Sequence, residues 1–109
     1  MGMPCFVNLT PHSIHMPDGS LLEPIGYLAR CVEKTVPVGM IGSNPIVTRH
    51  YGKVENLPNP LLDTWYIVSH MTRVACPNRF DLLSPGDLVR NEKGEILGCT
   101  NFVINSLNP

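Results

Sequence analysis

A chain of 109 residues, 43% apolar and 16% charged, is long enough to build one hydrophobic core and too apolar to stay disordered. A net charge of −1 gives no electrostatic basis for holding duplex nucleic acid, and no apolar run approaches the roughly 20 residues of a membrane span. Eleven prolines and nine glycines favour short strands joined by turns.

Residues 5–9 read as a first strand, closed by the turn Thr10-Pro11-His12. Residues 13–16 and 21–25 form a hairpin about Pro17-Asp18-Gly19-Ser20, where proline presets the turn and Gly19 takes positive φ. The alternation through residues 27–36 predicts a strand, the Gly- and Pro-rich residues 37–45 a loop, and the β-branched residues 46–54 another strand. Residues 56–63 show no regular pattern. Residues 65–69 are the most apolar short run and predict a central strand; residues 70–76 predict one or two helical turns, ended by Pro77. After the turn Pro85-Gly86, residues 87–90 and 95–99 predict a hairpin with Gly94 at positive φ. The polar residues 105–109 predict a frayed tail. No repeat, low-complexity segment or linker divides the chain, so residues 1–109 are expected to be one domain. The expected fold is mostly β: a small twisted antiparallel sheet or partly open barrel of about five to seven strands, with at most one or two short helices.

The residues before Cys5 lack the basic and apolar regions of a signal peptide, which predicts a cytoplasmic protein, in the host cytoplasm if the chain is viral. Cys5, Cys31, Cys76 and Cys99 form no C-x-x-C pair. They are expected to be reduced, mostly buried, small apolar residues, with no metal site and no cofactor.

Candidate chemistry begins at the end of the first strand, which presents Asn8, Thr10 and His12. Asn and Thr in such a place either contact a ligand or bond the nearby backbone to fix the turn. Arg30 lies among apolar neighbours and needs either an anion or solvent. Arg79 and Asp81 flank Phe80, and Asp87 and Arg90 belong to the last hairpin. The planar arginine fork suits phosphate, although internal salt bridges would use the same groups. Ser69 and His70 are adjacent, so on a strand they face opposite ways and do not make a nucleophile and its base. No G-x-S-x-G, P-loop, G-x-G-x-x-G or H-E-x-x-H occurs, so no catalytic residue is assigned.

Asn8-Leu9-Thr10-Pro11-His12, Ala29-Arg30, Tyr66-Ile67-Val68-Ser69, Arg79-Phe80-Asp81, Pro85-Gly86-Asp87 and the run from Val89 to Gly98 span nearly the whole chain. Together they resemble a family of small phage and prophage proteins that opens with NLTPH and ends in a VRNEKG hairpin. The resemblance implies a phage origin and by itself no activity. In that setting, by analogy of context, the expected function is sequestration of a phosphate-bearing nucleotide messenger of bacterial immunity, a cyclic nucleotide or an ADP-ribose derivative. The expected ligand contacts are Asn8, Thr10, His12, Arg30, Ser69, Arg79, Asp81, Asp87 and Arg90, gathered in one pocket. The expected partners are that small molecule and further copies of the chain, with no duplex nucleic acid and no membrane. Two rivals are a small protein–protein interaction module or inhibitor, and a hydrolase of such messengers with His12 as general base.

Overall fold

The computed structural model describes residues 3–106. In chain order the elements are β1 (Cys5–Asn8), β2 (Ile14–His15), β3 (Leu21–Leu22), β4 (Arg30–Ile41), β5 (Asn44–Glu55), β6 (Thr64–Ile67), α1 (His70–Ala75), β7 (Leu82–Pro85), β8 (Leu88–Arg90), β9 (Ile96–Cys99) and β10 (Phe102–Ile104). Strand makes up 49% and helix 6%, so the fold is mostly β, with one short helix among the described residues, as expected.

The strands form three sheets, none closed into a barrel: β1-β6-β7-β10, β3-β2-β9-β8, and the two-stranded ribbon β4-β5. Pairing is mixed rather than antiparallel throughout. β1 with β6, β6 with β7, and β2 with β9 run parallel. The physical reason is the connection between β6 and β7. A parallel return needs a dozen or more residues and commonly a helix, and residues 68–81 with α1 supply it.

β6 is the strand around which the core is organised. Tyr66 and Ile67 are buried in it and Val68 continues the buried run. Alternation sends Tyr66 and Val68 to one side, into a cluster with Leu9, Ala29 and Leu82. It sends Ile67 to the other side, where it joins Ile14, Met16 and Cys99. A strand covered on both faces reads as a continuous apolar run, which is why this segment stood out in the sequence.

Both short hairpins form where local turn chemistry placed them, with Gly19 at φ +90° and Gly94 at φ +81°. Three expectations are corrected. Residues 37–45 are not a loop: β4 and β5 run through them and turn at Gly42-Ser43. Proline is tolerated there because each strand of a two-stranded ribbon has an open edge. Asn105 is not frayed. Its Nδ2 donates to the carbonyls of Arg73, Cys76 and Arg79 at 3.2, 2.9 and 2.9 Å. Residues 107–109 of the expected tail lie outside the described residues. Of the four cysteines, all free thiols, only Cys99 is buried; Cys5 is exposed, and Cys31 and Cys76 are half-buried. β1 lies at the edge of its sheet and β4 pairs only with β5, so neither Cys5 nor Cys31 is enclosed by paired strands on both sides.

Candidate functional site

A cavity of about 270 Å³ opens where the first two sheets meet. The turn after β1 contributes Thr10, Pro11, His12 and Ser13, and the start of β2 adds Ile14. The β6–α1 junction contributes Val68 and Ser69; Pro85, Leu88, Ile96, Leu97 and Gly98 complete the wall. A larger cleft of about 390 Å³ shares Leu97 and Gly98 and is lined further by His15, Met16 and Cys99. The smaller cavity is the better candidate because three of the sequence-derived residues, Thr10, His12 and Ser69, meet in it.

Asn8 lies beneath this turn and is fully buried. Its Nδ2 donates to the carbonyls of His12 (2.8 Å) and Leu22 (3.0 Å). Its Oδ1 accepts from the Thr10 amide at 2.9 Å and the Thr10 hydroxyl at 2.6 Å. All four bonding positions are taken. Asn8 is therefore the staple that shapes the cavity's rim and does not reach a ligand. The Thr10 hydroxyl spends its proton on Asn8 and keeps lone pairs to accept with. Ser69 caps α1: its Oγ accepts from the Thr72 amide at 3.2 Å and donates to Thr72 Oγ1 at 2.9 Å. The Ser13 hydroxyl donates to Glu23 Oε2 at 2.8 Å. His12 is exposed at the rim.

The charged candidates do not converge there. Arg79 grips Asp81 through Nε and Nη2, both at 2.8 Å, and also donates to the Pro58 carbonyl at 2.9 Å. This fastens the irregular segment between β5 and β6 to the approach to β7. The hydrogen bonds from Arg79 hold the Asp81 carboxyl below the ordinary aspartate value, and the same bonds push Arg79 up. Asp87 exchanges bonds with Asn101, 2.9 Å each way, across the β7–β8 corner. Arg90 closes the last hairpin by donating to the Gly94 carbonyl at 2.8 Å. Arg30 is largely in solvent, 3.9 Å from Glu55, and borders a separate groove with Cys31, Val32 and Glu33. The single pocket expected from Asn8 to Arg90 is thus corrected to a cavity holding Thr10, His12 and Ser69. Arg79, Asp81, Asp87 and Arg90 lie outside this cavity, and each has a hydrogen-bond partner within the fold.

Sequence reasoning missed the apolar wall. Its signal lay in Leu88-Val89 and Ile96-Leu97, which put apolar side chains on both faces of one hairpin. It also missed Arg73, buried with Nε on Ser84 Oγ (2.8 Å), Nη1 on Asn105 Oδ1 (2.9 Å) and Nη2 on His70 Nδ1 (3.0 Å). That network ties α1 to β7 and to the segment just after β10. Among the described residues no buried side-chain nitrogen or oxygen lacks a partner, and no group of three or more His, Cys, Asp or Glu is placed to hold a metal. No described helix is long and apolar enough to cross a membrane.

Fold and cavity together define a small mostly-β protein with an apolar cleft under a polar rim. Compared with protein families, with curated proteins and with solved structures, the chain has no match.

Proposed function

We propose that the chain is a binding protein that sequesters a phosphate-bearing nucleotide, taking its base and sugar into the 270 Å³ cavity and leaving the phosphate at the rim beside His12. In the phage setting implied by the sequence resemblance, that ligand is an immune messenger of the infected cell. The observation that carries the reading is the cavity's division of labour. The wall is almost wholly apolar, so Val68, Leu88, Ile96 and Leu97 give a flat group somewhere to lie, and the exposed His12 at the rim is left to meet the phosphate. Its volume is just below the range of small-molecule sites, roughly 300–1,000 Å³, which suits a nucleoside better than a whole dinucleotide. Retention is favoured over turnover because the Thr10 and Ser69 hydroxyls donate to Asn8 and Thr72, not to His12.

The test is calorimetry with adenosine, AMP, ADP-ribose and a cyclic dinucleotide, followed by heating and recovery of the ligand. The expected outcome is binding of at least one phosphate-bearing probe and its release unchanged. His12→Ala should weaken that binding about 3- to 10-fold, the value of one hydrogen bond, and Leu97→Trp should abolish it by filling the cavity. Conversion of the ligand would make the protein an enzyme. Failure of every probe to bind would remove the reading.

A further inference from the structure

Helix α1 lies against both strands of the β4–β5 arm, whose tip is open to solvent. The arm's strands pair only with each other. Val38, Met40 and Ile41 near its tip are 60%, 61% and 69% exposed, so most of their apolar surface faces solvent. The register puts Met40 opposite Pro45 and Pro37 opposite Val47. Alternation along β5 then places Pro45, Val47, Arg49 and Tyr51 on one face, so an apolar patch at the tip runs back into a strip that Arg49 interrupts. An exposed apolar ribbon with two open edges is a liability unless something covers it.

Charge points to what covers it. The arm carries Arg30, Lys34, Arg49 and Lys53 against Glu33 and Glu55, a net +2. The rest of the chain carries Arg73, Arg79, Arg90 and Lys93 against Asp18, Glu23, Asp63, Asp81, Asp87, Glu92 and Glu95, a net −3. Arm and body are therefore electrostatic complements within one sequence. Area agrees. Twelve residues per strand make a ribbon roughly 40 Å long and 10 Å wide, about 400 Å² on one face. Two arms docked reciprocally, with the surfaces they cover, bury roughly 1,600 Å², the size of a standard stable interface.

We infer that the arm is an association device for a second copy of this chain: its apolar strip lies on the acidic body of another protomer, whose own arm returns the contact about a two-fold axis. The inference stands on the arm alone and is independent of what the cavity binds. Light scattering on the full chain at high micromolar concentration tests it. The expected mass is a multiple of 12.0 kDa. The double variant Met40→Asp, Val47→Asp should weaken association at least about tenfold while keeping the wild-type circular dichroism, because both side chains are exposed in the protomer. Should that variant misfold, Arg49→Glu with Lys53→Glu gives a second reading by making the arm acidic against an acidic body. A wild-type mass of 12.0 kDa, or folded variants of both kinds that keep the wild-type mass, would overturn the inference.

Discussion

Two arginines that look alike in the sequence have opposite weight in the fold. Arg79 makes two 2.8 Å bonds to Asp81, with both side chains mostly out of water. Arg30 lies 3.9 Å from Glu55 with its side chain 69% exposed, a geometry worth nothing measurable. Arg79→Ala would leave a shielded carboxylate without its donors and the Pro58 carbonyl without its partner. The loss should be about 2–3 kcal/mol, a fall in melting temperature of roughly 10–20 °C for a domain of this size. Arg30→Ala should leave melting unchanged, and equal effects of the two changes would contradict this assignment. The pair also fixes an acid limb. The Asp81 carboxyl is lowered in the folded chain, chiefly by hydrogen bonds from Arg79, so it takes up its proton at lower pH folded than unfolded. The stability it contributes is complete above the unfolded value of about 3.9 and is lost as pH falls below that through the lowered folded value. Melting temperature followed against pH should therefore drop more steeply below about pH 4 in the wild type than in Asp81→Asn.

Strand pairing at the cavity depends on one glycine. Gly98 of β9 faces His15 of β2 in their parallel ladder, and a Cβ there would overlap the His15 carbonyl oxygen and Cβ. Backbone cannot step aside without parting the ladder that carries the cavity wall. Gly98→Ala should destabilise by about 2–4 kcal/mol and, on the proposed function, remove nucleotide binding at the cavity. Gly94→Ala meets open space and has only its positive φ to overcome, about 1–2 kcal/mol. Thermal melting of the two variants separates them, and a harmless Gly98→Ala would mean that β2 and β9 are not so closely apposed. The same contrast explains which elements could be read from sequence. Hairpins built on Pro17-Asp18-Gly19-Ser20 and on Gly94, and a helix bounded by Ser69 and Pro77, are specified by neighbours in the chain. β7 and β10 were missed because Leu82–Pro85 and Phe102–Ile104 are too short to show a period and owe their form to partners far along the chain. For the site, Thr10, His12 and Ser69 were legible as polar residues at element ends. Arg79 and Arg90 lie elsewhere: charge is visible in a sequence and the acceptor that occupies it is not. Arg30 stands on the ribbon, open to solvent.

The described residues extend 59 Å along one axis and 31 Å along another, with a radius of gyration of 16.5 Å. A compact chain of this length would have a radius of gyration of about 13 Å. The excess belongs to the arm, since the other two sheets share Ile67, Leu83 and Cys99 in one core cluster while β4 and β5 add no residue to either cluster. Sequence could not disclose this elongation, because alternation in β4 and β5 looks the same whether a ribbon lies on a body or projects from it. Stability must then be uneven across the molecule. The Tyr66 and Val68 amides donate to Asp81 and Leu83 at 2.9 and 2.8 Å inside the buried centre, and can open only when the core does. Amides near the tip, from Val38 to Val47, are held by one ladder with water on its edges, and a lone two-stranded ribbon is at best marginally stable. Hydrogen exchange on the monomeric Met40→Asp, Val47→Asp variant should therefore show the tip amides exchanging first and those of Tyr66 and Val68 last. In the wild type the tip amides should gain protection as protein concentration rises, while Tyr66 and Val68 gain little. Tip amides as slow as Val68 in the monomer would show that the ribbon is packed against its own body, and the elongated arrangement would fall with it.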